Sequence, residues 1–345
     1  MGTATWHLIN LLFPLTIVLP APAGPGLFAN HDPLELVLAA DFDELGGDRD
    51  QESPERPGTI RIEGSDGVVR DIPIKVNTRG KFRLQRRTCP DPPLRLNFPE
   101  SSPQGTVFDG EDKLKLVTHC RDSDRYEQNL LEEYLAYRIY NQLTDLSFEV
   151  RLARITYEDT SGENDPVTRF GFLIEDKDGL ADRVGGKVIE AQGGNPSDFV
   201  MDQLGLLYLF QFMIGNVDWG LGSTHNVEVL LKDRAYFPIP YDFDWSGLVD
   251  ARYAGPNPMT ENLHNSVRER VYWGACVPGL DYPGLFARFI QDRDSIMGVL
   301  EGEIPLSERN ENSAREYLEE FYDILANPRS VDRKIIKACR PLREN

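Results

Sequence analysis

The segment from Phe199 to Ile214 is apolar almost throughout and long enough for a buried helix, with Ser197 or Asp198 as its N-cap. A helix of that character must be covered by other elements, so it fixes a core around which the rest of the chain is arranged. It ends in Gly215-Asn216-Val217-Asp218, and His225-Asn226 follows. Two predicted strands come next, Val227 to Leu231 and Tyr236 to Ile239, joined by Lys232-Asp233-Arg234 and followed by Asp242-Phe243-Asp244.

Helix, acidic loop, hairpin and second acidic loop form an order suited to phosphoryl transfer. That chemistry needs a carboxylate to orient a substrate hydroxyl, an amide nearby, and a second carboxylate to hold Mg²⁺. Asp218, Asn226 and Asp242 supply these groups in that order. Taken singly, each is also an ordinary turn residue, since Asp and Asn satisfy local backbone groups and tolerate unusual dihedrals. Asn226 lies eight residues after Asp218, whereas a protein-kinase catalytic loop has its Asn about five after the Asp, so the loop must bulge. No G-x-G-x-x-G precedes it.

Several stretches together resemble the spore-coat protein H-like (CotH) kinase family. They are Arg79-Gly80, Leu94 to Phe98, Lys113 to Leu116, Asp218 with His225-Asn226, and Tyr241 to Asp244. The resemblance spans about residues 70–250 and implies an α+β, bilobal, protein-kinase-like fold. An N-terminal antiparallel β-rich lobe (24–176) would bind nucleotide, and a mostly helical C-terminal lobe (177–345) would carry the catalytic groups. It further implies ATP with Mg²⁺ or Mn²⁺, and a protein substrate phosphorylated on Ser or Thr. Asp218 would be the catalytic carboxylate, Asn226 and Asp242 metal ligands, and Asp244 a further metal contact.

The phosphates need a cover other than a Gly-rich loop. Arg79, Lys81, Arg83, Arg86 and Arg87 form a basic run, and guanidinium forks suit phosphate oxygens. Most of the run reads as a solvated turn, and Arg79 is the member singled out for phosphate contact. Lys113 and Lys115 share one face of a strand, and the next predicted helix, Ser123 to Leu143, carries apolar residues on one face. Lys115 paired with Glu132 or Glu133 would fix the phosphates, although i-to-i+4 pairing on an exposed helix explains these glutamates too. Of the two, Glu133 is the partner taken for Lys115. Glu175, after the strand Thr168 to Ile174, falls where the two lobes would join and contact the base.

At 345 residues, with 27% charged and 40% hydrophobic residues, the chain can bury a sizeable core. Strands at Leu34 to Leu38, Thr59 to Ile62, Ile72 to Val76 and Phe148 to Tyr157 are expected to complete an antiparallel sheet. Leu285 to Leu300 and Ser313 to Leu325 have helical spacing. The net charge of −19 repels phosphate backbones and disfavours nucleic acid, and a basic or Ser-rich protein is the more comfortable partner.

Leu8 to Leu19 is an apolar stretch short for a membrane span, and Ala21-Pro22-Ala23 has the small-x-small form of a signal-peptidase site. Residues 1–23 therefore read as a signal peptide, which predicts export and no stable membrane span after processing. Cys89, Cys120, Cys276 and Cys339 lack C-x-x-C spacing, and four cysteines allow three pairings. Cys89–Cys120 with Cys276–Cys339 is the expected set, while free buried thiols would be expected in a cytosolic chain. Two alternatives are a metal-dependent hydrolase using His225, Asp242 and Asp244, and a non-catalytic coat or surface protein.

Overall fold

The structure is a computed structural model that describes residues 26–342 apart from 65, 100–102, 191–193, 258–259, 261 and 303. The expected signal peptide lies outside the described residues.

Alternation builds the first half. In β3 (Val69–Thr78), Ile72, Ile74 and Val76 are buried while Asp71, Pro73 and Lys75 are exposed, as a half-buried strand requires. β1 (Leu34–Ala40), β2 (Arg56–Glu63), β4 (Leu94–Asn97) and β5 (Lys113–Val117) follow the same rule. Short α1 (Phe42–Gly47) caps one end, and β6 (Val150–Asp159) and β7 (Val167–Ile174) form the closing hairpin. The order is β1-β2-β3-β4-β5-β7-β6, and β1 pairs with β6 in parallel to close a seven-stranded barrel. Leu38, Ile60, Ile74, Leu96, Leu114 and Leu173 fill it.

β6 and β7 serve two cores at once. Ala153, Ile155 and Leu173 point into the barrel, while Val150, Leu152, Phe172 and Ile174 join a second cluster outside it. That cluster is built on α2 (Asp124–Leu143) and on α4 (Met201–Ile214), which follows α3 (Lys177–Val184) and β8 (Lys187–Ile189). Every residue of α2 from Leu130 to Tyr140 is buried. The single apolar face read from the sequence is thus incomplete, because α2 lies between the barrel wall and α4 and is covered on all sides. β8, β9 (Val227–Lys232) and β10 (Ala235–Pro240) form a separate antiparallel sheet. Residues 241–281 carry no helix or strand among the described residues.

After them, α5 (Tyr282–Gln291) and α6 (Arg293–Gly298) split the expected Leu285-to-Leu300 helix at Asp292. α7 (Glu308–Ala326) and short α8 (Pro328–Val331) run into a last helical turn at Asp332–Ile336, with α7 packed on α4.

The expected α+β, bilobal, protein-kinase-like architecture is not what the chain forms. The strand-rich part is a closed barrel and not an open antiparallel lobe, because β1 and β6, the two would-be edges, pair over seven residues from Leu34 with Ala153 to Ala40 with Asp159. Closure removes both edges. The remainder is not a mostly helical lobe either, since it holds a three-stranded sheet and the long irregular run after β10. One core then runs without interruption from the outer faces of β5, β6 and β7 through α2 to α4 and α7.

Both expected disulfides are present, Cys89–Cys120 and Cys276–Cys339. No helix among the described residues is long and apolar enough to cross a membrane.

Candidate active site

The first acidic loop is set by the end of α4. Gly215 caps that helix in the left-handed conformation at φ +67°, and a side chain there would collide with the Tyr317 hydroxyl. Asn216 is buried, and its Oδ1 accepts the Asp218 N–H at 2.8 Å, turning the chain so that Asp218 projects from the loop. A miniature hairpin follows, in which Gly220 and His225 exchange backbone hydrogen bonds at 2.9 and 3.0 Å. This insertion is the expected bulge between Asp218 and Asn226.

It folds Asn226 back onto Asp218. The Asn226 Nδ2 donates to the Asp218 carbonyl at 2.8 Å and to its Oδ2 at 3.2 Å. Asp218 Oδ1 lies 3.1 Å from His225 Nε2 and accepts from Asn257 Nδ2 at 3.1 Å. The carboxylate is held from three sides, and its hydrogen bond to His225 favours the imidazolium and raises that pKa.

The second acidic loop begins where β10 ends. Asp242 adopts φ +62°, with its N–H donating to the Tyr137 hydroxyl on α2 at 2.8 Å. The buried Arg83 joins three carboxylates, with Nη2 at 2.8 Å from Asp242, Nη1 at 3.1 Å from Glu133 and Nε at 3.3 Å from Asp244. Burial by itself would lower the Arg83 pKa, but Asp244, Glu133, Tyr253 and Asp242 acting together outweigh it and hold the guanidinium firmly charged. Glu133 is pushed upward by burial despite Arg83, and Asp244 is raised for the same reason. Asp244 also accepts the Tyr253 hydroxyl at 2.8 Å, so it braces Arg83 and has little left to offer a metal.

The two expected phosphate-binding cations lie alongside. Lys115, on the outer face of the barrel, places its Nζ 5.1 Å from the Phe148 ring centroid and 5.3 Å from that of Tyr241. Burial, then the positive charge of Arg79, lowers its pKa to about 8. Arg79 is lowered too, by burial first, with Asp242 acting against it. Neither side chain has a carboxylate within ion-pair distance among the described residues, so Lys115 is not paired with Glu132 or Glu133. Glu133 is taken by Arg83, and Glu132 accepts from Asn129 at 3.0 Å and Asn310 at 2.8 Å. Glu175 is also committed: Arg183 Nε and Nη2 each lie 2.8 Å from it, and it accepts the Glu149 N–H at 3.1 Å.

Asn226 and Asp242 suit a hard divalent cation. Asn226 spends its Nδ2 on Asp218, leaving Oδ1 without a donor among the described residues, and Asp242 engages Arg83 through Oδ1 alone. Among the described residues no three His, Cys, Asp or Glu side chains converge as a ready cage. Mg²⁺ bound with a nucleotide needs only one or two protein carboxylates, the phosphates supplying the rest. A groove of about 870 Å³ opens at Asp218, between His225, Trp219, Lys81, Trp273 and Leu342. A smaller cavity lies at the barrel end, away from these groups.

Sequence reasoning placed Arg83 in a solvated turn and missed Tyr137, Tyr253 and Asn257. The sequence signal for Arg83 was its place between Phe82 and Leu84, a setting unlike a solvated turn; Leu84 is indeed buried, and Phe82 packs at 4.7 Å from Trp245. No protein-family model matches the chain, and no curated protein matches it.

Proposed function

We infer that the chain is a metal-dependent phosphotransferase that moves the γ-phosphoryl group of ATP to a Ser or Thr hydroxyl of a protein. The observation that carries this reading is the division of the site by charge. Asp218 lines a groove wide enough for an acceptor, while the charge of Asp242 acts on Arg79 and Lys115, cations with no carboxylate within ion-pair distance among the described residues. In this reading the acceptor enters by the groove at Asp218 and the nucleotide phosphates meet Arg79 and Lys115.

In this reading Asp218 orients the acceptor hydroxyl and takes its proton as the oxygen attacks the γ-phosphorus. The bond from that phosphorus to the β-bridging oxygen breaks, and ADP leaves. Asn226 and Asp242 would hold the Mg²⁺ or Mn²⁺, which neutralises phosphate charge when bound. Arg79 and Lys115 receive the phosphate oxygens, and His225 with Asn257 keeps Asp218 in a single orientation. Most of the acceleration comes from positioning and charge compensation. His225 is engaged by Asp218, and among the described residues His225, Asp242 and Asp244 do not converge as a metal group, so the hydrolase alternative has less support. The two disulfides and the apolar leader are compatible with export, and the acidic chain favours a basic or Ser-rich acceptor.

Intact-mass analysis of residues 24–345 with ATP, Mg²⁺ or Mn²⁺ and a Ser-rich acceptor tests the reading. A phosphate increment is expected, abolished by Asp218→Ala with nucleotide binding retained, whereas Asp242→Ala should lose metal-dependent binding. Normal turnover by Asp218→Ala would overturn it, and an adenylate increment would redirect the chemistry. No increment and no nucleotide binding would favour a non-catalytic protein.

A further inference from the structure

The groove at Asp218 carries a local charge opposite in sign to the chain. Among the described residues that line it, Asp218 is the one carboxylate, against Lys81, His225 and Arg340. That carboxylate is already engaged by His225 at 3.1 Å and by the amides of Asn226 and Asn257, which leaves Lys81 and Arg340 to set the sign of the lining. The acidic residues behind the chain's net charge of −19 count for little here, because salt largely screens exposed charges beyond about 10 Å at 0.1 M.

The two cations come from distant segments, and Arg340 is built in. Its N–H donates to the Gly274 carbonyl at 2.9 Å and its carbonyl accepts the Cys276 N–H at 2.8 Å, beside the Cys276–Cys339 disulfide. Its Nε donates to the Trp273 carbonyl at 2.7 Å, and its guanidinium lies 3.8 Å from the Trp273 ring centroid. A guanidinium fixed in this way is always charged and matches the geometry of a carboxylate. Lys81, from the basic run after β3, is exposed, has no carboxylate within ion-pair distance among the described residues, and its charge reaches His225. Gly220 and Gly222 also line the groove, and the space where a Gly222 side chain would stand is open, so the backbone of an extended segment can come close.

We propose that this groove binds an acidic peptide segment, its carboxylates toward Lys81 and Arg340 and a Ser or Thr hydroxyl between them toward Asp218. That the segment is the phosphoryl acceptor rests on the phosphotransfer reading; that the groove takes an acidic segment does not. The acceptor is then of the Ser-rich kind, with acidic and not basic neighbours.

Fluorescence anisotropy of the full chain without nucleotide, using a labelled Ser peptide flanked by glutamates, by glutamines or by lysines, tests the charge preference. The glutamate peptide should bind most tightly and the lysine peptide not measurably, with the preference fading as salt is raised. Lys81→Glu changes an exposed side chain, so it should fold as the parent does, weaken the glutamate peptide about tenfold or more and admit the lysine peptide. Arg340→Gln keeps the backbone pairing and should weaken the glutamate peptide in the same direction. Excess ATP with Mg²⁺ should leave the peptide bound. Equal affinity for the glutamate and lysine peptides, no binding at millimolar concentration, an unchanged affinity in Lys81→Glu, or displacement by ATP would each overturn the proposal. A glutamate peptide that binds but gains no phosphate would instead count against the phosphotransfer reading alone, and preferential phosphorylation of the lysine peptide against this inference alone.

Discussion

Arg83 Nη2 lies 2.8 Å from Asp242 Oδ1, so a residue of the basic run after β3 reaches the acidic loop after β10. The same guanidinium serves Glu133 on α2 and Asp244. One buried cation thus fixes three elements around the site. Breaking a buried ion pair from one side leaves uncompensated charge and costs about 3–5 kcal/mol.

Arg83→Leu should therefore lose about 3–5 kcal/mol in urea denaturation at pH 8, and Arg83→Lys should lose less because one charge remains without the fork. At pH 5 the Arg83→Leu deficit should shrink, since burial favours protonated Glu133 and Asp244 once their partner is gone. Equal stability of parent and variant at pH 8 would show that Arg83 does not hold these carboxylates.

Lys115 makes nucleotide affinity pH dependent. With its pKa lowered to about 8 by burial and Arg79, it loses its charge as pH rises through that value. ATP binding should weaken between pH 7 and 9 in the parent and change much less in Lys115→Arg, whose guanidinium stays charged. Lys115→Met should cost about 1.5–3 kcal/mol of binding at pH 7, the range for a charge-assisted hydrogen bond. Fluorescent-nucleotide titration with Mg²⁺ across that range measures both, and a flat parent profile would remove Lys115 from the phosphate site.

Strand positions were legible because alternation is local: Ile72, Ile74 and Val76 announce a half-buried strand without knowledge of its neighbours. Barrel closure was not, since the parallel pairing of β1 with β6 joins Leu34 to Ala153 across the whole first half. The order of Asp218, Asn226 and Asp242 was readable because turn chemistry and hairpin spacing are short-range. Arg83 and its partners are far apart in sequence, and a cluster whose members come from a loop, a helix and a second loop leaves no periodic trace. The Lys115–Glu133 pairing failed for that reason: Arg83 had already taken Glu133.

Glu132 gives stability a pH slope. Burial raises its pKa from an ordinary 4.5 to about 7, against the hydrogen bonds from Asn310 and Asn129. Between those values the folded state binds more protons than the unfolded one, so stability falls as pH rises, by up to about 1.4 kcal/mol per unit. Above pH 7 the penalty is complete. Glu132→Gln, neutral throughout, should flatten the melting-temperature profile between pH 5 and 7, and an unchanged slope would assign it to other groups.

The Cys89–Cys120 bridge ties the end of the basic run to the strand edge after β5, the two cysteines standing 31 positions apart in sequence. Arg79 and Arg83 reach the site from that run, so the bridge restrains the segment that delivers both cations. A loop of this length is worth about 3–4 kcal/mol in the chain-entropy account. Replacing both cysteines by Ala should lower stability by about that amount. It should also weaken nucleotide binding, because the Arg79 segment would be ordered only when ligand arrives. The Cys276–Cys339 bridge holds the groove side, near Trp273 and Arg340, and its removal is the Cys276→Ala/Cys339→Ala pair. That pair should leave nucleotide binding intact and weaken acceptor use, seen as a higher KM for the acceptor protein. If both double variants changed nucleotide and acceptor constants alike, the two entrances would not be separately held.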